Sequence, residues 1–205
     1  MILYGGDMRR HVFWAAACCF FLIAGCGAKE PLEASGSNGA GEQSGAAVVA
    51  AGHPETERLV AQARALWRED ICADPKEAEA LLDQALEADP GYPPALALRG
   101  LARSELGRRE QAFDDVTEAL RHTPTAQMYA WRGLVSLRSD MPVAARRDAE
   151  YALQKDARQP DAWNVLGVLE AREGNSEKAC AALERGCAGG LCRPLEAARK
   201  EGMCR

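Results

Sequence analysis

The chain has 205 residues, 25 of them basic and 30 acidic, for a net charge of −5. An acidic chain without a basic run argues against nucleic acid and against anionic lipid as direct partners. Beyond a low-complexity N-terminal part, roughly 150 residues remain, enough for one domain with a continuous core.

At the N-terminus, Arg9, Arg10 and His11 precede an uncharged apolar run of thirteen residues, Val12 to Ala24. That is too short to span a bilayer, which takes about 20 residues, and it has the form of the apolar part of a secretory signal. The run ends in Leu22-Ile23-Ala24-Gly25-Cys26, which resembles the bacterial lipobox. The resemblance implies that residues 1–25 are a signal peptide and that Cys26 becomes a diacylated N-terminus, palmitate among its chains. Membrane contact is then anchoring by several acyl chains and not spanning. Gly27 stands where an Asp would retain such a protein at the inner membrane of enteric bacteria, so the expected place is the outer membrane, facing the periplasm. Without residues 1–25 the chain holds 23 basic and 29 acidic residues, a net charge of −6. Residues 26–54 are rich in Gly, Ala, Ser, Glu and Gln and poor in large apolar side chains. They read as a flexible tether, whose reach is roughly 30 Å.

From there a period governs the sequence. Ala78, Ala112, Ala145 and Ala179 follow one another at 34, 33 and 34 residues. Seven residues after each stands another small residue: Ala85, Ala119, Ala152 and Gly186. Gly100, Gly133 and Gly167 keep the same step, as do Gly107, Asp140 and Gly174 at the expected turns. Such a period in helix-forming sequence predicts stacked helical hairpins, each too small to bury its own apolar face. Helix starts are punctuated by Asp74-Pro75 and by Ser176 before Glu177, and Gly107 and Gly174 fall where a left-handed cap ends a first helix.

These recurring small residues resemble the tetratricopeptide repeat (TPR). The resemblance covers Leu59 to about Gly190 of a domain expected at 55–190, with repeats at about 59–92, 93–125, 126–159 and 160–190, and it implies an all-α solenoid of about four helical hairpins. The second repeat matches best, with Gly100, Gly107, Ala112, Ala119 and Pro124 in place. The first departs, because Leu66 occupies a small-residue position, so its helices are expected to cross differently; the third has Ala157 where Pro closes the repeat. Pro194, Leu195, Ala198 and Met203 open a last amphipathic segment within residues 191–205, expected to be the capping helix that solenoids need. The two middle repeats carry Arg99 with Asp115 and Arg132 with Asp148, where the outer ones carry Ala65 with Leu81 and Leu166 with Ala182. Folding each hairpin back on itself brings these positions together, so two intra-repeat ion pairs are expected.

Cys72, Cys180, Cys187, Cys192 and Cys204 remain after the signal and Cys26, in a compartment that favours disulfides. Four of them bracket the last hairpin. Nested pairing, Cys187 with Cys192 inside Cys180 with Cys204, fits an antiparallel helix pair best. The crossed pairing stays open, and a zinc site lacks the usual C-x₂-C element. The histidines beyond the signal are His53 and His122, and no Ser/His/Asp set, phosphate loop or metal-ligand pair is visible. No enzyme, cofactor or metal is expected; a redox or other enzymatic use of the cysteine cluster is the competing reading.

In TPR proteins the first helices line a concave groove for a partner segment. The resemblance places Trp67, Leu101, Leu134 and Val168 on that face, extended by Val60 and Leu137. An apolar row suits an amphipathic segment of another protein. The expected function is therefore a membrane-anchored, periplasm-facing scaffold for a protein or peptide in envelope assembly. Pilotins and adaptors of peptidoglycan hydrolases share this architecture.

Overall fold

The computed structural model describes residues 53–205. The expected signal peptide, the expected lipidation site Cys26 and the expected tether up to residue 52 lie outside the described residues. The described chain is mainly helical, with α1 (Pro54–Arg64), α2 (Pro75–Ala88), α3 (Pro93–Glu105), α4 (Arg109–His122), α5 (Ala126–Arg138), α6 (Pro142–Lys155), α7 (Pro160–Arg172), α8 (Ser176–Ala188) and α9 (Arg193–Lys200). The helices pair in order as antiparallel hairpins, α1 with α2 through α7 with α8, and α9 packs on α8. The chain is an all-α solenoid with a short terminal helix.

Local chemistry explains the helix ends. Pro opens α1, α2, α3, α6 and α7 at the first turn, where its missing N–H is no loss. The Asp74 carboxylate accepts from the N–H groups of Lys76 (3.2 Å) and Glu77 (3.0 Å), and Thr125 caps α5 by accepting from Met128 N–H. Ser176 is not a cap, contrary to its sequence reading. It is the first residue of α8, and Asn175 before it turns its amide to Glu170. Gly107 and Gly174 adopt φ of 75° and 81°, and Asp140 takes the equivalent place at 59°. In each of these turns the residue after the left-handed one donates back into the last turn of the helix. Arg108 N–H thus reaches the Arg103 carbonyl at 2.9 Å, which satisfies an otherwise orphaned acceptor.

Packing explains the period. Ala78, Ala112, Ala145 and Ala179 have no exposed surface. A Cβ added at Gly100 would lie 2.5 Å from a Val116 methyl and 2.8 Å from the Ala112 carbonyl oxygen, so α3 and α4 are in contact across a gap that admits no side chain. Leu82, Val116, Val135, Val165 and Leu169 fill the continuous interior between hairpins. Both expected ion pairs form: Arg99 Nη2 reaches Asp115 Oδ1 at 2.7 Å, and Arg132 Nε reaches Asp148 Oδ2 at 2.7 Å. Asp115 is shared with Arg103 at 2.7 Å, and Arg103 also meets Glu79 at 2.9 Å, so the first two repeats are joined by a small charge network.

The first repeat departs further than expected. Its first helix starts at Pro54 and stops at Arg64, and Leu66 lies beyond it, packed with Trp67 beside buried Cys72, Ala78 and Ala102. Ala63, and not Leu66, is the fully buried small residue there. A leucine at the close-approach position would hold the two helices apart, so the chain leaves the helix before it. It then makes a two-stranded hairpin, β1 (Trp67–Arg68) and β2 (Ile71–Cys72), antiparallel with Trp67 opposite Cys72.

At the other end the Cys180–Cys204 and Cys187–Cys192 disulfides are nested, with Cα separations of 5.5 Å and 4.0 Å. The second is tighter than the usual lower bound of about 4.4 Å, because the two cysteines flank one short turn. Cys72 is free and buried, and burial pushes its thiol up.

Candidate functional site

The solenoid curves around a pocket of 290 Å³ on its concave side. Arg64 at the end of α1 and Trp67, Glu69 and Asp70 of the hairpin form one wall. Leu98 and Leu101 come from α3, and Gln127, Trp131, Leu134 and Arg138 from α5. Pro160 and Asp161 at the start of α7, with Gly189 and Leu191 of the loop before α9, close the far side.

Of the expected row, Trp67, Leu101 and Leu134 do line this pocket, although Trp67 arrives from a strand and not from a first helix. Leu101 is almost wholly buried at 5% exposure, so it is floor more than contact. The rest are corrections. Val60 and Leu137 are buried in core clusters shared with neighbouring hairpins, because both sit on the turn of helix that faces a neighbour. Val168 lines a different cleft, with Leu183, Pro194 and Ala197, because the terminal helix packs over that end of α7. The row therefore does not form one continuous strip.

Sequence reasoning missed Trp131, Leu98, Asp161 and Arg138. Leu98 and Trp131 precede Leu101 and Leu134 by three residues, one helical turn, so the same face carried a second apolar row. Gln127, Asp161 and Arg138 stand at positions that the repeat assigns to the groove, but they are its polar members, and an apolar row does not reveal them.

The hairpin and the terminal helix meet across the mouth. Arg193 binds Asp70 through two parallel bonds, Nε to Oδ1 and Nη2 to Oδ2, each 2.8 Å. Its backbone N–H donates to Glu69 Oε2 at 3.1 Å. From below, Arg138 donates to the Asp70 carbonyl oxygen and to Ser104 Oγ, both at 3.0 Å, and pairs with Glu105 at 2.8 Å. The first repeat thus clasps the cap across a sequence separation of 123 residues. The Cys187–Cys192 disulfide ends one residue before Arg193 and fixes the loop that presents it.

Asp161 differs from the other acids of the pocket. It accepts a bond from Gln159 Nε2 at 3.0 Å, and among the described residues no cation is paired with it. Burial pushes its carboxyl up to about 6, aided by the nearby Asp70 charge and opposed by its hydrogen bonds and by Arg138.

No family model matches the chain. A stretch of 87 residues, 42% of this chain, is 29% identical to Tetratricopeptide repeat protein 13 of Homo sapiens and spans 10% of that protein. In three dimensions it is similar to a chain of the APC/C hetero-tetramer Cut9–Hcn1, with a TM-score of 0.58 at 19% identity over 67% of this chain and 26% of that one. It is similar also to PilF of Pseudomonas aeruginosa, with a TM-score of 0.52 at 24% identity over 66% of this chain and 61% of the other. The fold is TPR-like. A TPR-like solenoid offers two faces to a partner, and here the first helices of the hairpins, the β-hairpin and the loop before α9 line one pocket.

Proposed function

We propose that this chain is a lipid-anchored scaffold at the periplasmic face of the bacterial outer membrane, which holds a segment of another envelope protein in its concave pocket, in the manner of a pilotin or an adaptor. The pocket carries the reading: half-buried Trp67 and Leu134 converge from two separate elements, beside a Trp131 that is 7% exposed, on one cavity that also holds polar groups. A concave, mainly apolar site with a few placed polar groups is the usual form of a recognition site. The lipobox at Cys26 supports the anchor and the tether supplies reach from it. Likeness to PilF of Pseudomonas aeruginosa agrees with the architecture and does not choose the process.

The redox reading loses support on one observation. Among the described residues four cysteines are paired and Cys72 is buried with its thiol pushed up, whereas reactive cysteines are exposed and easily ionised.

The test places a photo-crosslinking residue at Gln127, exposed at the pocket, or at Val143, 82% exposed on α6, in the full chain in its own envelope. Crosslinking to a partner is expected at Gln127 and is lost in Trp67→Ala and Leu134→Asp, since truncating an interface anchor commonly costs more than about 2 kcal/mol. Crosslinks that gather at Val143 and ignore both substitutions would move the docking site to the convex side.

A further inference from the structure

Charge is accounted for at most buried acids among the described residues. Asp115 and Asp148 are each held by an arginine of their own repeat, Glu79 by Arg103 and Arg108, and Asp70 by Arg193. Arg138, the guanidinium next to the pocket floor, is taken up by Glu105, Ser104 and the Asp70 carbonyl. Asp161 lines the same pocket, half-buried, and only an amide and backbone meet it. A desolvated carboxylate facing a cavity without its counter-charge costs free energy in the empty protein, and a ligand cation would relieve it.

The surroundings specify that cation. The indoles of Trp67 and Trp131 line the cavity, and aromatic faces attract ammonium and guanidinium groups. With Asp70 taken by Arg193 and Arg138 by Glu105, the lining charges left are Glu69 and Asp161 against Arg64. At 290 Å³ the cavity sits at the small end of the roughly 300–1,000 Å³ of ligand sites, so it takes one long side chain with its neighbours and not the face of a whole helix.

We propose that the pocket receives one Lys or Arg side chain of the partner, flanked by apolar residues, with the Asp161 carboxylate as its counter-charge. This rests on the pocket being the docking site, as proposed above, and adds the chemistry of what docks. The aliphatic stem lies along Trp131, Leu134 and Trp67 while the charged head reaches Asp161, as long cationic side chains do when their stems are buried.

The experiment uses the mature chain, disulfides intact, against bead-bound heptapeptides with blocked ends. Five pools share random apolar flanks and differ at the centre: Lys, Arg, norleucine, Gln or Glu. At pH 7.5 the Lys or Arg pool is expected to retain about tenfold more protein than the norleucine pool, equal to ~1.4 kcal/mol. Asp161→Asn is expected to erase that difference, and Trp131→Ala to lower every pool. The preference should also fade as pH falls below about 6, where Asp161 takes up its proton. Glu69 and Asp70 of the hairpin, Arg64 of α1, Arg138 of α5 and Arg193 of α9 surround the site, and the Asp161→Asn profile separates its titration from theirs. Equal retention of Lys, Arg and norleucine pools, still sensitive to Trp131→Ala, would overturn the cation and keep the pocket. Preference for Glu, satisfied by Arg64, would overturn it too. Retention indifferent to Trp131→Ala in all five pools would remove the pocket itself.

Discussion

At the scale of single residues, the buried charged groups described divide into those paired within and between repeats and Asp161, which opposes the fold. Asp148 is 2% exposed at its side chain and holds Arg132, whose guanidinium also lies 5.9 Å and 5.7 Å from the ring centroids of Phe113 and Tyr129. Asp148→Ala leaves that arginine half-buried and unpaired, with an expected loss of about 3–5 kcal/mol. Arg132→Leu together with Asp148→Ala copies the Leu166 and Ala182 of the fourth repeat and should restore most of it. Urea unfolding of the native chain and the two variants measures both; a double variant as unstable as the single one would make the pair a net stabiliser. Asp161 works the other way. Its carboxyl binds its proton more tightly folded than unfolded, so its contribution to stability is full below about pH 4 and is lost as pH rises to about 6. Asp161→Asn should therefore be more stable than the native chain at pH 7.5, by ~1–3 kcal/mol after some offset from its place in the first turn of α7, and no more stable at pH 4. Unfolding curves at the two pH values decide it: an unchanged difference would mean that burial does not burden this carboxylate. A residue that weakens the empty fold belongs to the stability–function trade-off of binding sites.

At the scale of elements, the helices were legible and the hairpin was not. The period of 34, 33 and 34 between alanines exists because each helix pair needs a small residue at its point of closest approach, and that need repeats with every hairpin. The paired Arg and Asp of the middle repeats were readable for the same reason: two positions that meet change together. Nothing local announces β1 and β2. Trp67 to Cys72 has no Asn-Gly or Asp-Gly turn, and Glu69 takes φ of 54°, which sequence would assign to glycine. The reason for the hairpin is distant in sequence, since its tip meets Arg193 and covers the pocket. Pocket residues were half legible: a repeat rule locates the face, but which members of that face stay open depends on where α9 and the hairpin pack. The clasp gives this level its prediction. Arg193 is 47% exposed, so Arg193→Ala should cost global stability no more than ~1 kcal/mol. Amide exchange in residues 67–72 should nonetheless quicken, because the hairpin loses the bidentate bond that joins it to the cap. Unchanged exchange there would show that Arg138 and the packing around Trp67 and Cys72 hold the hairpin without the clasp.

At the scale of the molecule, function depends on where the pocket is held. No helix of the described residues is long and apolar enough to cross a membrane. Under the proposed function the attachment is acylation at Cys26, 28 residues before Pro54 at the start of α1. On that proposal the pocket is confined to a shell around its anchor, and the net charge of −6 beyond residue 25 disfavours adhesion to an anionic surface. Confinement to such a shell raises the effective concentration for a membrane-bound partner toward the millimolar range, so a pocket of modest affinity suffices. Cys26→Ser should therefore release the protein from the membrane fraction and weaken partner crosslinking at Gln127, while leaving peptide retention by the purified domain as it was. Mass spectrometry of the native protein provides the chemical check: Cys26 as first residue, carrying acyl chains. A mature start elsewhere without lipid, or a Cys26→Ser protein that stays in the membrane fraction, would mean that the pocket is brought to its partner by another route.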